Sequence, residues 1–293
     1  MANAPDQPII QALYRYPVKG LSPQALPRTT LTAGQTVPAD RLYAIENGPI
    51  GFDPAAPAYF PKQRFLMLMR NERLAALKTD YDETSDTLAV RFDGKEVARG
   101  DLRTPEGRTA VEAFFATYCA DELRGPPKVL YGAGHSFSDV ARKVVSIINL
   151  ASVGALETVV GASIDPLRFR ANVYVRGWPA WHEFDLLDRE LTIGGARLKV
   201  VKRIVRCAAT NVDPQTGARD LTIPQTLMQN FDHMDCGVYA EVIGGGDVAV
   251  GDTITEAQAG AAGRKKQRAP LVAERGAMKR RTMGAADQPP GNT

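Results

Sequence analysis

Cys207 is the residue around which chemistry is most readily assembled. Lys199, Lys202, Arg203 and Arg206 precede it within eight positions, and Asp213-Pro214 with Gly217 follow as a tight-turn combination. Cationic neighbours stabilise a thiolate and lower its pKa. A cysteine at a strand end, before a fixed loop, presents sulfur in one direction, which suits a metal ligand or a nucleophile. Position alone does not separate these roles from that of an ordinary buried cysteine, and spacing by itself favours the last. A nucleophilic cysteine wants a histidine base. The three histidines, His135, His182 and His233, sit in no recognisable protease or transferase frame and read as loop or surface residues. None of them has zinc-ligand spacing to another, and no C-x-x-C occurs. Cys119 adjoins the apolar stripe Val111, Phe114, Phe115 and Tyr118 and reads as core. Cys236, ahead of "GVYAEV", reads as core or strand edge.

The elements that must position Cys207 read as short strands. The 293 residues suffice for two domains, or one large one, with a sizeable core. A composition of 44% hydrophobic and 24% charged residues, with 26 Gly and 20 Pro, points to a β-rich globular protein. In "IIQALYRYPVKGL" the alternation places Ile10, Ala12, Tyr14 and Tyr16 on one strand face, and Pro17 ends the strand. "DRLYAIENG" reads as a second strand. "LAALKTDYD", "TLAVRF" and "KEVARG" read as hairpin strands, with a two-residue turn at Asp93-Gly94. Thr104-Pro105 is an N-cap and first-turn proline for a helix of roughly four turns. "LRGPPKVLYGAGHSF" reads as a boundary. After it, "KVVSIINLASVGALETVVG" is a strand, a short connection and a helix capped near Ser152. "ANVYVRG" is a strand, and "RELTIGGARLKVVKRIVRC" is a hairpin turning at Gly194-Gly195 whose second arm ends at Cys207. "CGVYAEVIGGGDVAVGDTI" gives two strands across a glycine turn.

The formal charge is only +3, and basic clusters in the last residues contribute to it, so nucleic acid is not an expected partner. The first residues lack a basic start and an apolar core, no apolar run reaches membrane-spanning length, and an odd cysteine count fits a reducing compartment. A cytoplasmic protein is therefore expected.

Four motifs in order carry a resemblance: "LYRYPVKGL" near the start, "RFRAN" at 168–172, "RCAATNVDPQTG" at 206–217 and "GVYAEVIGGGDVAVGD" at 237–252. Together they resemble MOSC-domain proteins, including those in which an N-terminal β-barrel domain precedes MOSC. The resemblance implies a β-rich α+β fold of two β-barrel-like domains with a few packed helices. The expected division is 1–130 and 131–258, followed by a disordered basic tail over 259–293. It also implies a molybdenum cofactor (molybdenum–molybdopterin) held between the domains. By position, Cys207 matches the molybdenum ligand, with Arg206 expected to help keep it deprotonated. Lys19 and Arg41 match cations that would hold the cofactor phosphate, and Arg170 and Asn172 match the family's Arg-x-Asn. Thr210 and Asn211 lie in the loop that would reach the pterin. Gly20 stands where serine is frequent, Ala171 where proline is common, and Ala208, Ala209 and Asn211 where bulkier or hydroxylated residues are frequent. The implied activity is a molybdenum-dependent oxidoreductase reducing N- or S-oxygenated small molecules. A separate electron-donor protein would supply electrons, because no plant-type C-x4-C-x2-C run follows the MOSC segment. The alternatives are a carrier that delivers the cofactor or sulfur without turnover, and a binding module that has lost its metal.

Overall fold

The computed structural model describes residues 7 to 257. Among these the chain forms fifteen strands and three α-helices. The first half carries β1 (Ile9–Arg15), β2 (Gln24–Leu26), β3 (Arg28–Leu31), β4 (Tyr43–Glu46), β5 (Lys78–Asp82), β6 (Thr87–Phe92), β7 (Lys95–Asp101), α1 (Pro105–Tyr118) and β8 (Lys128–Tyr131). The second half carries β9 (Val145–Asn149), α2 (Leu150–Val160), β10 (Val173–Arg176), β11 (Glu190–Ile193), β12 (Ala196–Val205), α3 (Ile223–Phe231), β13 (Asp235–Gly244), β14 (Gly246–Ala249) and β15 (Ile254–Glu256). The fold is β-rich, as expected. The expectation of a disordered tail over 259–293 lies outside the described residues.

An eight-stranded sheet, in the order β15-β11-β12-β13-β9-β10-β1-β2, dominates. It curls on itself into a half-barrel: Ile10 N donates to Asp252 O at 2.9 Å and Ile254 N to Pro8 O at 2.8 Å, which ties β1 to the segment entering β15. Inward residues such as Ile147, Val175, Leu198, Val200 and Val238 are fully buried, each worth about 1.5–3 kcal/mol of transfer free energy. Strands of the first half complete this sheet, since β1 and β2 lie at its end, while β3 pairs with β14 in a separate two-stranded sheet. Elsewhere β4 pairs with β8, and β5-β6-β7 form a three-stranded sheet over which α1 packs.

Local chemistry explains the elements. Asp93 and Gly94 have φ of 49° and 75°, the left-handed pair of a type I′ turn whose twist matches the β6–β7 hairpin. Thr104 Oγ1 accepts from Gly107 N at 3.0 Å and caps α1 behind Pro105. Val111 and Phe115, one turn apart, bury the helix, and Cys119 follows them into the core.

Several expectations fail for definite reasons. Ile10, Ala12, Tyr14 and Tyr16 do not share a face. The β1–β10 register slips between Ile10 and Ala12, so Ile10 and Leu13 enter the half-barrel core while Ala12 and Tyr14 pack on its other side. Residues 72–76, "ERLAA", make a 3₁₀ turn, and the strand begins only at Lys78. Helix α2 follows β9 with no connection. Its cap is Asn149, whose Oδ1 accepts from Ala151 N, whereas Ser152 Oγ donates to buried Glu183. The second hairpin arm stops at Val205, two residues short of Cys207. β14 turns away from β13 to pair with β3. Strands β2 and β3 carry no clear periodic signal, and helix α3 lies outside the expected elements although Ile223, Leu227 and Phe231 recur at helical spacing and pack into one cluster.

Candidate functional site

Below the end of β12 lies a cavity of about 240 Å³. Its walls are the loops at 19–20 and 40–41, the segment 62–69, residues around 139, the "RFRAN" stretch and residues 202–210. Cys207 is half-buried at this wall and starts a 3₁₀ turn over Ala208–Asn211. Thr210 N and Thr210 Oγ1 both donate to Cys207 O, at 3.0 and 2.9 Å, which fixes the backbone that carries the sulfur.

The cation facing that sulfur is Lys62, whose Nζ lies 3.2 Å from Sγ. Lys62 Nζ also lies 3.3 Å from Asp139 Oδ2, and the other Asp139 oxygen accepts from Lys19 Nζ at 2.5 Å. A chain Lys19–Asp139–Lys62–Cys207 therefore lines one side of the cavity. Lys19 is 6% exposed and also donates to Phe137 O at 2.9 Å. An ammonium so buried costs several kcal/mol unless compensated, and Asp139 and the carbonyl compensate it. Burial pulls the Lys19 pKa below its ordinary value, with Asp139 opposing. Burial would lower Lys62 too, but Asp139 and Cys207 outweigh it and hold Lys62 above its ordinary value. For Asp139 burial acts upward, and Lys19 and Lys62 overcome it, keeping the carboxyl well below the usual range.

Arg41 and Arg170 form a second layer. Both carry left-handed backbones, with φ of 49° and 50°, and both guanidinium carbons lie over the ring of fully buried Tyr16, at 4.5 and 4.3 Å. Arg41 pairs with Asp40 at 2.5 Å and donates to Arg170 O at 2.8 Å, while Arg170 donates to Leu21 O at 2.8 Å. Asp40 in turn accepts from Tyr16 N at 2.8 Å. Two strained, non-glycine backbones held this way are the kind of feature found at binding sites. Arg168, 5% exposed on the same wall, pairs with Asp213 and Asp220, and its Nε–H has no partner among the described residues.

Asn172 lines the cavity, but its amide is already engaged. Oδ1 accepts from Ser146 N and Oγ at 3.0 and 2.8 Å, and Nδ2 donates to Tyr14 O at 3.2 Å. It joins β9 to β1. Asn211 does not line the cavity; its Oδ1 accepts from Ile223 N at 2.9 Å and caps α3. Arg206 does not face the thiol either. Its guanidinium turns inward to Cys236 O and Phe169 O, and the cation beside the Cys207 sulfur is Lys62 instead. Of the remaining expected residues, Lys19, Arg41, Arg170, Thr210 and Cys207 all line one cavity.

Residues 7–122 match the MOSC N-terminal beta barrel domain family, and residues 131–255 match the MOSC domain family. The chain is a MOSC-domain protein. It is 31% identical over 122 residues to mitochondrial amidoxime reducing component 2 of Bos taurus, covering 38% of this chain and 36% of that protein. It is 35% identical over 97 residues to molybdenum cofactor sulfurase of Caenorhabditis elegans, covering 32% of this chain and 13% of that protein. The matched stretch thus spans about a third of the first relative's length and less of the second's. No helix among the described residues is long and apolar enough to cross a membrane.

In this MOSC protein Gly20 has a backbone reason. Its φ is +84°, and an added Cβ would lie 2.9 Å from Leu66 O, so a serine there would be strained and crowded. Sequence reasoning missed Lys62, Asp139, Tyr16 and Arg168 as site residues. Arg168 stands inside the quoted "RFRAN" motif and was legible there. Lys62 and Asp139 carry no local signal.

Proposed function

We propose that this protein binds a molybdenum–pterin cofactor and reduces N- or S-oxygenated small molecules, with Cys207 as the metal ligand. The observation that carries the reading is the half-buried Cys207 sulfur facing a cavity ringed by Lys19, Arg41, Lys62 and Arg170. The residues present fit such a group. A soft thiolate suits molybdenum, an excess of buried cations suits a phosphate, and the partnerless Arg168 Nε–H is a donor left over on the wall. Lys19, Arg41 and Arg170 would hold the phosphate, and Thr210 would steady the turn that carries the ligand. Residues 1–130 and 131–258 would act as two barrels closing on the group.

When bound, the cofactor supplies two-electron oxygen-atom chemistry. The chain's share is to orient and to shield. Met67 and Leu68 add buried apolar surface to the cavity wall, which would help to shield the site from water. The Lys62 ammonium, held by Asp139, would keep a proton donor beside the sulfur's end of the cavity. Electrons would come from a separate donor protein. Turnover of an N-hydroxylated amidine with an artificial reductant is the test. Multiple turnovers by molybdenum-loaded protein are expected. Loaded protein that turns over nothing, yet hands its cofactor to a client apoenzyme, would favour the carrier instead.

A further inference from the structure

We propose that Tyr239 recognises the oxygen of an N- or S-oxygenated substrate, its phenol O–H donating a hydrogen bond to that oxygen inside the cavity. The inference rests on the reductase reading of the same cavity and adds the residue that tells the oxygenated substrate from its deoxygenated product.

Sheet register places this side chain. Tyr239 lies in β13, opposite Lys202 of β12 on one side and Ser146 of β9 on the other. Its chain neighbours Val238 and Ala240 enter the half-barrel core, as do Ile147 and Val145 opposite them. Side chains alternate along a strand, so Tyr239 and Ser146 point to the outer face. On that face Ile148 and Tyr174 pack with Val153 and Leu156 of α2 and Ile223 and Leu227 of α3, whereas Ser146, Asn172 and Tyr239 line the cavity. The charges that act on the phenol are those converging there. Burial raises its pKa and Asp139 adds to the rise, while Arg206, Arg41 and Lys62 oppose it. The net shift is upward, so the phenol keeps its proton and stays a donor.

The other uncharged hydroxyl and amide groups lining the cavity are engaged. Ser138 Oγ shares a hydrogen bond with Ser136 Oγ at 2.9 Å, Ser146 Oγ donates to Asn172 Oδ1 at 2.8 Å, and Thr210 Oγ1 donates to Cys207 O at 2.9 Å. Both ends of the Asn172 amide are taken as well. The Tyr239 hydroxyl has no hydrogen-bond partner among the described residues, although its side chain is half-buried. Such a group has an acceptor to find. The cavity's ammonium and guanidinium groups suit an anion such as the cofactor phosphate. A sulfoxide or N-oxide oxygen belongs to a neutral molecule, and a phenol gives it one directed hydrogen bond without setting a charge against it. Ladders on both sides of β13 fix the donor before a substrate enters. Tyr239 also stands in "GVYAEVIGGGDVAVGD", a motif from which the cofactor reading draws no residue.

The experiment compares wild type with Tyr239→Phe, which removes one oxygen atom and keeps the ring. Both are purified from cells able to make the cofactor. The probes are methyl phenyl sulfoxide and methyl phenyl sulfide, which differ only in the oxygen. By calorimetry, Tyr239→Phe is expected to raise the sulfoxide Kd about fivefold, the scale of one neutral hydrogen bond, and to leave the sulfide Kd within about twofold. Molybdenum content should match the wild type's. With dithionite-reduced viologen as donor, the sulfoxide KM should rise by a similar factor. An unchanged sulfoxide Kd would overturn the assignment. Equal weakening of both probes would do so too, since it would mark a packing role. A molybdenum content below about half the wild type's would give Tyr239 to the cofactor instead, and that also overturns it. The reductase reading is judged separately by wild-type turnover. Oxygen-dependent binding without turnover would remove that reading and leave the Tyr239 contact standing, and turnover with binding indifferent to the oxygen would do the reverse.

Discussion

Cys207 and Cys236 sit two residues beyond β12 and one residue into β13, and Arg206 links their backbones by donating to Cys236 O. Their surroundings are opposite. Cys236 is fully buried with Ile148, Val153 and Leu227, and burial pushes its thiol up to about 12. Cys207 is half-buried at a cavity, with an ammonium 3.2 Å from its sulfur. Charge in the neighbouring sequence does not account for the difference. Arg206, adjacent to Cys207, turns its guanidinium toward Cys236 O, and the cation that reaches Cys207 comes from position 62. Reactivity here belongs to the tertiary site.

The contrast is sharpest in thiol chemistry. In cofactor-free protein at pH 7.5, Cys207 is expected to react with a small alkylating reagent at least about a hundredfold faster than Cys119 or Cys236, whose labelling requires opening of the core. Mass spectrometry of a time course reads this out, and comparable rates at the three positions would erase the distinction.

A second way to test the comparison uses a residue that shares the cavity without being free to bind. Asn172→Ala removes hydrogen bonds to Ser146 N, Ser146 Oγ and Tyr14 O. It is expected to lower unfolding stability by about 2–4 kcal/mol in urea, because buried partners are left unpaired. A stability loss under about 0.5 kcal/mol, together with weakened cofactor retention, would instead assign Asn172 to ligand contact.

The smallest effect concerns pH. Cys236 has a folded pKa raised above the unfolded thiol's, so its contribution to stability is complete below about pH 8.5 and is lost as pH rises toward 12. Between pH 7 and 10 the wild type should therefore lose roughly 2 kcal/mol more than Cys236→Ala. Urea midpoints at the two pH values measure the difference, and parallel losses would mean that the thiol ionises freely in the fold.

The same contrast divides what can be read from the chain from what cannot. The resemblance carried by four ordered motifs brings out Lys19, Arg41, Arg170, Thr210 and Cys207, and the cavity gathers all five. Hairpin β6–β7, helix α1 and strand β10 are legible because turn residues, caps and alternation act locally. Lys62 and Asp139 are not, since they meet Cys207 only after segments far apart in sequence fold together. The β1 bulge defeats simple alternation at Ile10–Ala12, and Arg206 misleads because a charge adjacent in sequence need not be adjacent in space. Asn211 carries an amide in the right loop, but Ile223 N at the start of helix α3 claims it.

The most direct measurement is molybdenum and pterin content, by elemental analysis and pterin fluorescence, of wild-type, Cys207→Ser and Cys236→Ala proteins purified from cells able to make the cofactor. Wild type and Cys236→Ala are expected to hold close to one molybdenum per chain, and Cys207→Ser less than about a tenth of that, in line with losing a soft ligand. Equal molybdenum in wild type and Cys207→Ser, or none in the wild type, would contradict the assignment of Cys207 as the metal's ligand.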